Sequence, residues 1–78
     1  MEKNDDTCKI ITDYGKIGDK KNRTGEMCEV KLATVSWYGK PETYDIRMWR
    51  PDGSSDKGIS LSKGQLKRLR EILDGMDL

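Results

Sequence analysis

The fold is decided by residues 27–49, which read MCEVKLATVSWYGKPETYDIRMW. In residues 27–37, apolar and polar side chains alternate with a period of two, which is typical of a half-buried strand. Residues 43–49 repeat the alternation, and Tyr38-Gly39-Lys40-Pro41 has the composition of a hairpin turn. The stretch therefore predicts two neighbouring antiparallel strands, Met27 to Trp37 and Thr43 to Trp49.

The flanking segments add two strands and a helix. Cys8 to Ile17 is rich in β-branched and aromatic residues and predicts a first strand, followed by a polar loop over residues 18–25. Lys57 to Leu61 predicts a fourth strand. Ser62 then stands three residues before Gln65, which is the spacing of a capping box. In the segment that follows, apolar residues recur with the helical period of 3.6. The expected fold class is α+β, a four-stranded antiparallel sheet followed by one C-terminal amphipathic helix.

Size and composition limit how such a chain can build a core. It has 78 residues, of which 33% are hydrophobic and 37% charged, so one domain with little apolar material is expected. Residues 8–78 are predicted to form that domain, and the polar residues 1–7 a flexible N-terminal tail. Small chains of this kind often complete their core by dimerising. We expect a homodimer that uses the apolar stripe of the helix, formed by Leu66, Leu69, Ile72, Leu73 and Met76.

Several classes of function lack the residues they need. There is no histidine, no nucleophile beside an evident base and no phosphate-binding glycine motif, so we expect neither an enzyme nor a small-molecule substrate. Cys8 and Cys28 form no CxxC pair, so no metal site and no cofactor are expected, and two free thiols are the favoured reading. Without a long apolar run or a secretory signal, a cytoplasmic protein with no membrane partner is expected, nucleoid association being one option.

The alternation places aromatic and basic side chains on one face of the central strands. Lys31 and Trp37 share a face of the first, Arg47 and Trp49 a face of the second, while Tyr14 and Tyr44 are assigned to the core. Between positions 9 and 70, 14 Lys or Arg residues stand against 8 Asp or Glu residues. Single-stranded nucleic acid requires cations for its phosphates and flat rings for its unpaired bases. Strand aromatics are more often core or interface residues, however, and Arg47 could instead pair with Asp45.

Several motifs resemble one known family. The segments 36–41 (SWYGKP), 44–49 (YDIRMW), 51–53 (PDG) and 57–62 (KGISLS), followed by a Leu-rich helix, resemble the core of the positive cofactor four family of transcriptional coactivators, especially its short bacterial YdbC-type members. The resemblance covers residues 28–73. It implies a curved four-stranded sheet and one helix, paired through the helices into a symmetric dimer that binds single-stranded DNA or melted duplex with little sequence preference.

The resemblance also implies site residues. The family's contacts correspond to Trp37, Lys40, Arg47 and Lys57 here, and Trp49 falls where the family has an aromatic. The sequence departs from eukaryotic members at Tyr38, which replaces a lysine, at Val35, which replaces an arginine, and at the single residue between Arg47 and Trp49. Together, the predicted phosphate ligands are Lys31, Lys40, Arg47 and Lys57, and the predicted stacking residues are Trp37, Tyr38 and Trp49.

Two other functions remain open from the sequence. A protein-protein interaction module would use the same Trp and Arg residues as anchors. An RNA-binding regulator would use the same stacking surface, since base stacking does not depend on the 2′-hydroxyl.

Overall fold

The structure, a computed structural model, describes residues 8–78. Its elements follow the order β1 (Cys8–Lys21), β2 (Met27–Trp37), β3 (Thr43–Trp49), β4 (Ser55–Leu61) and α1 (Lys63–Asp74). The strands form one antiparallel sheet in the order β1-β2-β3-β4. The predicted α+β fold is confirmed, and β2 and β3 have the predicted bounds. The predicted tail, residues 1–7, lies outside the described residues.

The first strand is longer than the sequence predicted. The expected loop over residues 18–25 is wrong at its start, because β1 continues to Lys21 and pairs there with Met27. The turn is instead organised by Asn22, whose Oδ1 accepts hydrogen bonds from the backbone N–H groups of Thr24 at 3.1 Å and Glu26 at 2.8 Å. Residues 19–21 are exposed at the sheet edge, so their polar composition gave no strand signal.

Three β-bulges bend β1. The register with β2 shifts between Ile10 and Thr12, between Asp13 and Gly15, and between Lys16 and Gly18. Each shift leaves one large apolar residue of β1 without a partner: Ile11, Tyr14 and Ile17, which are 51%, 57% and 64% exposed. The prediction that Tyr14 lies in the core of the chain is therefore wrong for the single chain. Bulges increase the local twist and bend the strand that carries them.

One face of the sheet, here called the inner face, holds the buried cluster of the chain. Pairing of Lys31 with Arg47 and of Ala33 with Asp45 places these residues on it together. The cluster on this face consists of Ala33, Val35 and Trp49, with Cys8 and Trp37 packed against it. The sequence predicted an open face here, but its centre is filled by the chain's own side chains.

The helix lies over the opposite face. Its N-terminus carries the predicted capping box: the Gln65 N–H donates to Ser62 Oγ at 3.1 Å, and the Ser62 N–H donates to Gln65 Oε1 at 2.9 Å. None of the helix residues is buried. A groove of about 480 Å³ separates α1 from the sheet, and its apolar lining comes from Ile17, Leu32, Tyr44, Ile46, Leu66, Leu69 and Leu73.

The two cysteines lie far apart in the sheet, Cys8 on β1 and Cys28 on β2. Cys8 pairs with Trp37 at one end of β2, whereas Cys28 is buried near the other end, and both thiols are free. Burial raises the pKa of each thiol. Among residues 8–78 there is no group of three or more Cys, Asp or Glu side chains suited to a metal ion. No helix in this range is long and apolar enough to cross a membrane.

Candidate nucleic-acid interface

The hairpin between β2 and β3 presents an aromatic side chain at its tip. Tyr38 has φ 53° and Gly39 φ 75°, and the Lys40 N–H donates to the Trp37 carbonyl at 2.9 Å. Positive φ at both central residues is the geometry of a type I′ turn, which suits Asn or Gly better than a bulky residue. Tyr38 is 71% exposed, and its ring centre lies 6.5 Å from that of Trp37, at 42°. An aromatic residue in a strained backbone position is a functional candidate.

The Trp37 ring is held on two sides. Its indole Nε1 donates a hydrogen bond to Ser60 Oγ on β4 at 3.2 Å, and the guanidinium carbon of Arg47 lies over the ring, 4.8 Å from its centre. A guanidinium at this distance makes a favourable cation-π contact. Trp37 is half-buried, because it also packs against the buried cluster of the inner face.

Arg47 donates a hydrogen bond from each of its three side-chain nitrogens. Its Nε and Nη2 donate to the two carboxylate oxygens of Asp45 at 2.9 and 3.1 Å, and its Nη1 donates to the Asp56 carbonyl at 2.8 Å. The Arg47 side chain is 10% exposed and that of Asp45 1%. The ion pair weighed from the sequence is thus present, within β3. The structure does not show the free cation that the sequence predicted at Arg47.

β4 completes the arrangement around the ring. Ser60 Oγ donates to Asp45 Oδ2 at 2.7 Å, so one carboxylate contacts both Arg47 and the serine that holds Trp37. We call Asp45, Arg47, Ser60 and Trp37 the Asp45 network. Gly58 pairs with Arg47, and a Cβ at this position would lie 2.6 Å from Arg47 Cβ and 2.6 Å from the Ile46 carbonyl oxygen. Only glycine lets β4 come this close to Arg47.

The predicted lysines fall into two groups. Lys31 Nζ lies 3.3 Å from Asp13 Oδ2 and 3.5 Å from Glu29 Oε1, so its charge is largely matched. Lys40 and Lys57 are exposed, and none of the ion pairs among residues 8–78 involves either. Lys40 belongs to the Tyr38 turn, where its carbonyl accepts a hydrogen bond from Ser36 Oγ at 2.7 Å. These two lysines offer charge to a polyanion without losing a partner within this range.

Trp49 is buried in the cluster of the inner face. Trp49 is 7% exposed and belongs to the buried cluster, and it pairs with Glu29 at the end of β2 opposite the hairpin. Its indole Nε1 has no hydrogen-bond partner among residues 8–78. The predicted stacking role therefore does not fit Trp49 in this arrangement, since the flat surface that a base requires is covered.

Sequence reasoning missed Ser60 and Gly58. Both stand in the segment KGISLS, where the alternation shows only that Ile59 and Leu61 share a face. The sequence did contain one indication of a polar partner on β4. Asp45 and Arg47 are two residues apart on one strand face, and a small hydroxyl residue on the neighbouring strand can satisfy a buried carboxylate. The pairing of Asp45 with Ser60, which brings them together, requires the β3–β4 register.

Comparison with known proteins gives one similar sequence and no function. No family model matches the chain. A Treponema pallidum (strain Nichols) protein, described as uncharacterized, is 41% identical over 56 residues, covering 70% of this chain and 66% of that protein. The chain thus spans just under two thirds of the length of this relative, with which it shares clear sequence similarity.

Proposed function

We propose that this protein binds single-stranded DNA with little sequence preference, and that it does so as a homodimer. The observation that carries the proposal is the surface at the β2–β3 hairpin. There the Trp37 ring is fixed by Arg47 and Ser60, beside an exposed Tyr38 and beside Lys40. A transcriptional or DNA-maintenance role in the cytoplasm, near the nucleoid, would suit such a binder.

The proposed roles follow from exposure and from charge balance. Trp37 and Tyr38 stack on unpaired bases, each stacked base contributing about 1–3 kcal/mol. Lys40 and Lys57 bind phosphates, since they are exposed and outside the ion pairs of the described chain. Lys31 contributes less, because Asp13 and Glu29 already match its charge. A duplex hides its base faces, so this surface favours the unpaired strand.

The homodimer is supported by the helix and the face beneath it. Ile72, Leu73 and Met76 are 47%, 44% and 49% exposed, although they belong to the apolar stripe of α1. The bulged residues Ile11 and Tyr14 add further exposed apolar surface on β1. Apolar patches of this extent are rarely left in water by a chain of this size. A second copy would bury them and place two hairpins in one particle.

The test is a fluorescence anisotropy titration of labelled oligo-dT of about 20 nucleotides, with a matched duplex and a matched RNA as competitors, at low and moderate salt. Tight, salt-sensitive binding that favours the single DNA strand is the expected result. Equal competition by RNA would instead assign the surface to RNA regulation. Absence of binding to any oligonucleotide at low salt would refute the proposal and leave the protein-protein interaction module as the function of the hairpin.

A further inference from the structure

We infer that Arg47 is a positioning residue: together with Asp45 and Ser60 it fixes the Trp37 ring for stacking and does not itself bind a phosphate. The inference rests on the proposed function and deepens it, because it assigns the roles within that surface. It runs against the simplest reading of an arginine in a nucleic-acid site, which is a phosphate ligand.

Arg47 already has hydrogen-bond acceptors within the chain. Three of its nitrogens already donate at 2.8 to 3.1 Å, two of them to Asp45. A phosphate that captured the guanidinium would leave the Asp45 carboxylate, 1% exposed, without its counter-charge. Removing one partner of a buried ion pair is strongly unfavourable. Lys40 and Lys57 offer their charge at no such cost.

The Trp37 ring is linked through Ser60 to the Asp45 carboxylate. Asp45 accepts from Arg47 and from Ser60, and Ser60 in turn accepts from the Trp37 indole N–H. The same carboxylate therefore fixes the cation over the face of the ring and the acceptor at its edge. With one face covered by Arg47, a base has only the remaining exposed surface of the indole on which to stack.

A Trp37 ring that is ordered before binding lowers the entropic cost of stacking. A tryptophan at the end of a strand would ordinarily lose side-chain freedom when a base stacks on it, and this loss weakens binding. The Asp45 network orders the ring before the ligand arrives. Loss of any member of the network should thus reduce the contribution of stacking while leaving the number of phosphate contacts unchanged.

The salt dependence of binding separates the two roles of Arg47. Each phosphate contact to a single strand contributes about 0.7 to the slope of log K against log salt. We expect Arg47→Lys, which keeps the charge but loses the bidentate fork, to weaken oligo-dT binding roughly five- to twentyfold with an unchanged slope. If Arg47→Lys binds like the wild type, or if Arg47→Met lowers the slope by about 0.7, Arg47 is a phosphate ligand and the inference is wrong.

A variant that keeps the Arg47–Asp45 ion pair tests the same role without removing a partner of a buried charge. Arg47→Met leaves a buried carboxylate unpaired and could unfold the chain. Ser60→Ala removes the acceptor of the indole N–H and the hydroxyl that donates to Asp45, at an exposed position of β4, while the Arg47–Asp45 ion pair keeps both partners. We expect it to weaken oligo-dT binding at unchanged slope. Ser54→Ala in the β3–β4 turn loses the same hydroxyl away from Trp37 and serves as the matched control, with wild-type binding.

A measurement on the nucleic-acid-free protein keeps the inference testable even if the proposed function fails. The indole N–H signal of Trp37 in an ¹⁵N spectrum, assigned with Trp49→Phe, reports hydrogen exchange at Nε1. Ser60→Ala and Arg47→Lys should speed this exchange several-fold, with Ser54→Ala unchanged. Unchanged exchange in both would overturn the positioning role. Faster exchange without any oligonucleotide binding would uphold the fixed ring while refuting single-strand binding.

Discussion

The guanidinium carbon of Arg47 lies 4.8 Å from the centre of the Trp37 ring, although Arg47 pairs with Lys31, six residues before Trp37 on β2. In a flat sheet six residues span about 20 Å, which exceeds the reach of both side chains. The contact therefore requires a sheet that is not flat, as the twist of β-strands makes it.

The two lysines outside the ion pairs should carry the salt dependence. The double variant Lys40→Met/Lys57→Met is expected to weaken oligo-dT binding and to lower the slope of log K against log salt by about 1.4, at about 0.7 for each phosphate contact. Lys20→Met/Lys21→Met makes the same change of charge at the far end of β1 and should leave the slope nearly unchanged. Equal losses in both doubles would show a diffuse electrostatic effect and no defined phosphate site.

Substitutions at Tyr38 should affect the stability of the turn and the affinity for oligo-dT differently. Asn is favoured over Tyr at positive φ, so Tyr38→Asn should leave the melting temperature equal to or above that of the wild type. Its affinity for oligo-dT should fall by about 1–3 kcal/mol, the contribution of one stacked base. Tyr38→Phe keeps the ring and should bind normally. A Tyr38→Asn protein with undiminished affinity would remove Tyr38 from the stacking surface.

Most strands and the helix were predictable from the sequence, because the spacing of apolar residues within a short segment indicates its secondary structure. The alternation in residues 27–49 gave β2 and β3 their bounds, and the Ser62 and Gln65 spacing gave the start of α1. The end of β1 was not predictable, because residues 18–21 pair at an exposed edge where apolar periodicity is absent. Composition alone also could not reveal that the Asn22 side chain would close the turn that follows.

The site was predictable only in part, for a different reason. Trp37 was predicted as a site residue from its face of β2, and Tyr38 and Lys40 from the resemblance carried by the hairpin motif. The states of Arg47 and Trp49 depend on packing that the alternation does not show: Arg47 has a buried carboxylate partner, and Trp49 is buried in the cluster of the inner face. Alternation assigns a side chain to a face, but it does not tell whether that face is open.

Gly58 should be the position of the sheet least tolerant of a methyl group. Gly58→Ala would place a Cβ 2.6 Å from Arg47 Cβ and from the Ile46 carbonyl, so we expect a loss of about 1–3 kcal/mol in the free energy of unfolding. Gly64→Ala is the contrasting control. Its Cβ would meet only Ser62 Oγ at 3.9 Å, and alanine in a helix should stabilise by about 0.5–1 kcal/mol. Urea unfolding measures both, and equal effects would contradict the close approach of β4 to Arg47.

The helix should hold the proposed homodimer together. Leu73 lines the groove beside α1 and is 44% exposed, so Leu73→Lys should convert the dimer to monomers at micromolar concentration in sedimentation equilibrium. Glu71→Lys changes a side chain that is 65% exposed on the same helix and should leave the dimer intact. A wild-type protein that sediments as a monomer would remove the reason given for the exposed apolar stripe.

Acid should weaken the fold partly through Asp56. The Asn22 amide donates to Asp56 Oδ2 at 2.8 Å and, with the nearby Arg50 guanidinium, holds the pKa of this carboxyl below its ordinary value of 3.8. A carboxyl whose pKa is lowered in the folded state stabilises the fold fully at pH values above its unfolded-state pKa. This stabilisation is lost as the pH falls below about 4. Asp56→Asn should therefore be less stable than the wild type at pH 7, with the difference shrinking in urea unfolding as the pH falls below about 4. Asp77→Asn, at the exposed C-terminus, is the control and should follow the wild type throughout. A gap between Asp56→Asn and the wild type that stays constant across this range would show that Asp56 acts through packing and not through its charge.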